Sequence, residues 1–254
     1  MLILLSPSKT MDIRKVKVCP EYTEPIYKEK ALQLAVILRK YNVNGLSELL
    51  NISHNLAQST YERYQTFTSD YSDPIALQAI FAFTGDVYTS LNATTFSPDD
   101  LEFSQKHLRI LSGLYGYLRP YDLIQAYRLE MATKMNIGKS TNLYVFWKKS
   151  LHEAIKNDLN ENKTRLIINL ASNEYFKSID IKTLDCKVVT PVFMQEVNGK
   201  LKIISIFAKQ ARGSMTAFIV KNKLTDPEHL SAFNELGYTF NSRLSSQHIP
   251  TFTR

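Results

Sequence analysis

Arg165-Leu-Ile-Ile-Asn-Leu170 is a short apolar run with polar ends. A strand covered on both faces has this pattern, because neither side of it meets water. The stretch predicts a central strand over Leu166–Leu170. The chain opens in the same way. Met1-Leu-Ile-Leu-Leu5 is apolar throughout and turns polar at Ser6-Pro7-Ser8-Lys9. Five apolar residues with no basic residue ahead of them do not make a signal peptide. They read as a second buried strand, Leu2–Leu5.

Working outward, Ala79–Phe83, Lys187–Val192 and Lys202–Phe207 are further strand candidates. The last two flank Asn198-Gly199, a dipeptide suited to a type I′ turn, so they are expected to form a hairpin. Helices are expected over Tyr27–Tyr41, Ser53–Thr66, Pro98–Leu111, Val145–Leu159, Ala208–Lys221 and Pro227–Ser231. The first places Ala31, Leu34, Ala35 and Leu38 on one face. Ser97-Pro98-Asp99-Asp100 reads as a helix start: a capping hydroxyl, proline in the first turn, and acids at the positive end of the dipole. Strands alternating with helices, plus one hairpin, predict an α/β (mixed α+β) fold with a mixed central sheet. No repeat and no Pro/Gly/Ser-rich linker divides the sequence, which is read as a single domain over 1–254.

The 254 residues suffice for a sizeable core. Lys and Arg outnumber Asp and Glu by 31 to 24, a net charge of +7 that is compatible with nucleic-acid binding without requiring it. No run approaches the roughly 18 to 20 apolar residues of a membrane span. A cytoplasmic monomer that does not engage the membrane is the expectation. Cys19 and Cys186 belong to no CxxC pair and read as reduced thiols, with Cys19 a redox-sensing alternative because Lys15 and Lys17 lie near it. The histidines at 54, 107, 152, 229 and 248 form no ligand pair at helical spacing. Neither a metal nor a cofactor is expected.

Three polar clusters follow predicted strands: Ser6-Pro-Ser-Lys-Thr10, Thr84-Gly-Asp-Val-Tyr88, and Asn169 to Lys177. Strand ends are where α/β proteins place ligands, so the clusters suggest one shared cleft. Within it Lys9, Asp86, Glu174 and Lys177 are candidate acid, base and anion-holding groups. Taken singly, each cluster also reads as a helix cap or a turn. Lys209 and Arg212 share a face at the expected start of a helix. Cations there oppose the dipole, which suits an anionic ligand. Leu108 to Met131 interleaves Arg109, Arg119 and Arg128 with four tyrosines, a composition found in nucleic-acid interfaces and equally in loops beside a cleft. Leu46 to Tyr64 reads as a helix-hairpin-helix element. Asn51 and Ser53 stand where that pattern has glycines, and the amides of the second helix's N-terminus suit a phosphate oxygen. A plain buried αα-hairpin fits the same residues.

Ser6-Pro-Ser-Lys-Thr10, Thr84-Gly-Asp-Val-Tyr88, Leu111-Ser-Gly-Leu-Tyr-Gly116 with Leu118-Arg-Pro120, Tyr127-Arg-Leu-Glu-Met131, Asn169-Leu-Ala-Ser172 with Glu174-Tyr-Phe-Lys177, and Ala211-Arg-Gly213 resemble the YaaA family in the same order. The match runs from Met1 to about Tyr238. The resemblance implies a response to hydrogen peroxide that limits iron-dependent oxidative damage to DNA. It implies a mixed α/β fold with a helix-hairpin-helix and a basic cleft that binds double-stranded DNA. Asn51, Ser53, Lys9, Arg109, Arg119, Arg128, Lys177, Lys209 and Arg212 are then the expected contacts. Gln210 and Ala217 stand where the family's basic helix often carries charge. The competing expectation is an enzyme acting on a damaged base or nucleotide in the same cleft.

Overall fold

The computed structural model describes residues 1–13, 21–71 and 76–254. Cys19, with Lys15 and Lys17, lies outside them. The main sheet is built, in chain order, from β1 (Leu2–Leu5), β2 (Leu108–Ser112), β3 (Gly116–Leu118), β4 (Leu166–Asn169) and β5 (Lys187–Val189). Across the sheet the order is β3-β2-β1-β4-β5. β1 runs parallel to β2 and β4, with Ile3 opposite Leu108 on one side and Ile168 on the other. β5 continues the parallel set, and β3 closes the far edge antiparallel. Every residue of β1 is buried. An all-apolar pentapeptide thus sits where no face meets solvent.

A smaller sheet holds β6 (Val192–Val197), β7 (Lys200–Lys202), β8 (Thr239–Phe240) and β9 (Thr251–Thr253), in the order β7-β6-β9-β8. Asn198 (φ 53°) and Gly199 (φ 73°) join β6 to β7, both left-handed as a type I′ turn requires. A hairpin is present at this dipeptide, but its strands are Val192–Val197 and Lys200–Lys202 rather than the expected Lys187–Val192 and Lys202–Phe207; Lys187–Val189 pairs into the main sheet instead. Ile203 and Ile204 lie outside any strand, and a helix begins at Ser205. Phe193 stacks on Phe252 at 5.5 Å and meets Phe233 and Tyr238 edge-on, giving the small sheet an aromatic core.

The helices are α1 (Lys28–Arg39), α2 (Val43–Leu50), α3 (His54–Thr66), α4 (Ala79–Ala82), α5 (Asp86–Leu91), α6 (Pro98–His107), α7 (Leu143–Glu161), α8 (Asn173–Phe176) and α9 (Ser205–Lys221). Two expectations are corrected here. Ala79–Phe83 is one helical turn followed by a two-residue strand, Phe83–Thr84. A short, wholly buried apolar run has no periodicity to separate the two. Pro98–Leu111 starts as expected, with a full capping box between Ser97 and Asp100, but the helix stops at His107. Leu108 turns extended and joins β2, because pairing with β1 outweighs local helix preference.

α5 and α9 pack with almost no space between their backbones. A Cβ at Gly213 would lie 1.9 Å from the Val87 carbonyl oxygen. Glycine at 213 therefore sets how near α9 approaches the segment that carries Asp86.

His107 is buried beneath the first residue, with Nδ1–H donating to the Met1 carbonyl at 2.8 Å. Burial, more than the nearby cations, holds its pKa below the ordinary 6.5. The folded state thus binds fewer protons than the unfolded chain between the lowered value and 6.5. Stability is expected to fall as pH drops below about 6.5, and the fall should be smaller in His107→Gln. Chemical denaturation of both proteins between pH 7 and pH 5 checks this; equal losses would assign the pH dependence to other groups.

Candidate functional site

β1 lies between β2 and β4, so the chain leaves β1 toward one side of the sheet and returns on the other. At such a switch point the loops diverge and leave a crevice outside the carboxyl ends of the parallel strands. Ser6 directly follows β1, and Leu170 directly follows β4. The two loops are tied together: the Ser172 amide donates to Ser6 Oγ at 2.8 Å, and Ser6 Oγ–H donates to Ser172 Oγ at 3.3 Å. Tyr88 Oη–H donates to the Ser6 carbonyl at 2.8 Å, bringing α5 to the same place. Thr10 pairs with Thr84, fixing the loop after β1 against the segment that leads into α5.

The crevice is a cavity of about 630 Å³. Ser6 to Thr10, Gly85 to Val87 and the loop from Tyr127 to Glu130 form much of its wall. Leu170 with Ser172, Glu174 and Tyr175 closes a third side, and Ile203 through the first half of α9 closes the fourth. The three polar clusters at strand ends thus share one cleft. Its ionised groups are unevenly matched: Lys9, Arg128, Lys209 and Arg212 face Asp86, Glu130 and Glu174.

The pairing within that set matters more than the total. Lys9 Nζ lies 2.8 Å from Glu130, and Arg128 Nη2 lies 3.5 Å from the same carboxylate. Glu174 accepts from the Ala132 amide at 3.1 Å. Lys209 and Arg212 have no hydrogen-bond or ion-pair partner for their side chains among the described residues, and neither has Asp86. Arg212 is half-buried. Burial alone lowers its pKa, with no carboxylate to offset it. A guanidinium withdrawn from water without a counter-charge is a standing cost to the fold. An anion entering the cleft would relieve it.

The family model described as Peroxide stress protein YaaA matches residues 1–244. The chain belongs to this family. The matched span contains every residue that lines the cleft. The family's biological setting is the peroxide stress response.

Not every residue expected at the YaaA-family site is in the cleft. Arg109 is 4% exposed and makes a two-pronged ion pair with Asp158, Nε to Oδ2 at 2.6 Å and Nη2 to Oδ1 at 3.0 Å. Its Nη1 donates to the carbonyls of Gln105 and Leu108. It is a buried residue that does not line the cleft. Arg119 is held by buried Asp122 and by the Glu24 carbonyl, at a separate depression beside α7. Lys177 is exposed but does not line the cleft; its ammonium sits 4.8 Å from the centre of the Tyr144 ring. Lys9, Asp86, Arg128, Glu174, Lys209 and Arg212 are brought together. Lys209 and Arg212 owe nothing to a helix start, however. α9 begins at Ser205, so both lie beyond its first residues, and the dipole argument for them does not hold.

Asn51 and Ser53 are exposed at the connection between α2 and α3. Asn51 takes the left-handed backbone (φ 50°) that ends α2. Leu46 and Leu50 are buried, so the connection projects from a packed base. Ser53 has the extended backbone of a capping residue, but its hydroxyl makes no capping bond. The amides of the first turn of α3 therefore have no acceptor within their own helix.

Reading residues by type missed Glu130, the acid that neutralises Lys9 and Arg128, and Ile203 at the cleft mouth. Glu130 stands two residues from Arg128 in an irregular loop, where no periodic pattern marks a shared wall.

Proposed function

We propose that this YaaA-family protein binds duplex DNA during peroxide stress, seating backbone phosphate at Lys209 and Arg212 and steadying the duplex with the α2–α3 hairpin. Limiting iron-dependent oxidative damage to DNA is the role this binding would serve. The observation that carries the reading is the half-buried Arg212, which among the described residues has no acidic partner, in a cleft where the neighbouring cations Lys9 and Arg128 have one. Guanidinium and ammonium groups arranged this way suit phosphate oxygens. Contacts of this kind orient a duplex without reading its sequence.

Two neutralised phosphates give a log–log salt slope of about −1.8, so affinity should fall roughly tenfold between 50 and 200 mM salt. Fluorescence anisotropy with two duplexes of unrelated sequence measures this. Equal, salt-sensitive curves are expected; a curve unmoved by salt would remove the phosphate reading. At the hairpin, Ser53→Pro should weaken binding more than Ser53→Gly, because proline removes the Ser53 amide, which precedes those of α3, and constrains the turn.

A second reading has its own observation. Asp86 lies in the cleft without a partner among the described residues, as a general base or a base-recognising carboxylate would. It favours an enzyme that acts on a damaged base or nucleotide in the same cavity.

A further inference from the structure

The corner between β7 and α9 carries an apolar surface that the fold leaves uncovered. Leu201 is 36% exposed, Ile203 58% and Ile206 47%. Isolated exposed aliphatics are ordinary on protein surfaces, but three within six residues of chain beside a cleft stand out. Ile203 itself lines the cleft, and Ile206 stands three residues before Lys209 on α9. Along α9 the apolar lip is thus followed by the two unpaired cations.

The cavity's size bears on what it admits. About 630 Å³ is the size of a pocket for one small molecule. Duplex DNA, with a major groove alone about 12 Å wide, can present a backbone phosphate at the mouth but does not enter such a space. A single nucleotide does. Proteins that seat one nucleotide in a pocket take it out of the stack, and architectural DNA-binding proteins fill the disturbed base step with an aliphatic or aromatic side chain. The walls here offer what an unstacked nucleotide needs. Tyr127, Tyr175 and Leu129 give apolar surface for a ring, Asp86 is an acceptor for an exocyclic amino group, and Lys209 with Arg212 meets the phosphate.

Resting on the DNA-binding reading above, we propose that the cleft accepts one nucleotide extruded from bound duplex and that Ile203 and Ile206 form the wedge that opens the base step. The apolar lip then gains partners on the DNA that it lacks in the free protein. Unstacking costs least at a mismatched or damaged base, so such sites are the favoured substrate class.

The test uses a duplex carrying 2-aminopurine at a mismatch, with anisotropy and fluorescence read from the same sample. Wild-type protein is expected to bind, to raise 2-aminopurine fluorescence severalfold, and to shield the signal from acrylamide. Ile203→Ser with Ile206→Ser should lose most of the rise. Both positions are exposed, so the variant is expected to fold, and its circular dichroism spectrum checks this. A duplex bound with no rise, or with a rise that acrylamide quenches freely, would overturn the extrusion while leaving DNA binding intact. A rise unchanged in the double variant would overturn the wedge. Anisotropy showing no bound duplex would remove the DNA reading itself, and the extrusion with it.

Discussion

Gly213→Ala is expected to destabilise the protein by about 3 kcal/mol or more, the upper range for overpacking, and to lower its Tm by roughly 10 °C. The cause is a backbone collision. The new Cβ would sit 1.9 Å from the Val87 carbonyl oxygen and 3.0 Å from the Leu91 amide nitrogen. Neither atom can swing aside as a flexible side chain would, so α5 and α9 must separate. That separation moves Asp86 and Arg212, which stand on the two helices, and the cleft widens along with the loss of stability. Thermal unfolding of the variant measures the first effect. A Tm within a degree or two of wild type would mean that the helices part at little cost, and the close approach would lose its significance. The residue beside Arg212 thus has a role in the cleft without touching a ligand.

Asp158→Ala is expected to cost about 3–5 kcal/mol, because it leaves the Arg109 guanidinium buried with no counter-charge. Asp158 accepts both prongs of Arg109 and the Tyr117 hydroxyl at 2.5 Å. The network joins α7 to β2 and β3. Asp158→Asn keeps the shape and one acceptor, so it should cost less than alanine. Tyr117→Phe removes one hydrogen bond to a charged group, worth about 1.5–3 kcal/mol. Denaturant unfolding of the three variants should rank them with Asp158→Ala lowest. A near-native Asp158→Ala would show that Arg109 finds water or another acceptor, and its place as a core residue would fall. DNA binding, by contrast, should follow only the folded fraction in these variants, since Arg109 is remote from the phosphate groups proposed.

Much of the frame was legible in residues 1–5 and 165–170. Continuous apolar runs specify strands buried on both faces, and the two runs do lie side by side at the centre of the sheet. Asn198-Gly199 located a turn because its backbone geometry admits few other residues. Boundaries were misread where tertiary pairing or burial decided them. Leu108 continues a helical pattern in sequence but is claimed by β1. Ile203, Ile204 and Ile206 have strand-forming side chains, yet the chain there makes the corner into α9. The cleft was legible as a set of strand-end polar clusters, since parallel strands bring their carboxyl ends to one edge. The status of each arginine was not. Arg109, Arg119, Arg128 and Arg212 look alike in sequence, and their carboxylate partners lie at Asp158, Asp122 and Glu130 for the first three, with none for the fourth among the described residues. Only the folded arrangement separates a structural ion pair from a cation left for a ligand.

Arg212 therefore tests the central claim most directly. The measurement is the salt dependence of duplex affinity for wild type, Arg212→Lys and Arg212→Ala, alongside the Tm of each. Removing one phosphate contact should make the log–log slope of Arg212→Ala shallower by about one, with weaker binding at low salt. Arg212→Lys should keep the slope while binding less tightly, because ammonium retains the charge and loses the two-pronged geometry. The Tm of Arg212→Ala should not fall, since the Arg212 side chain makes no ion pair or hydrogen bond among the described residues. An Arg212→Ala protein with wild-type slope and affinity would contradict the account and place the phosphate contacts elsewhere on the molecule.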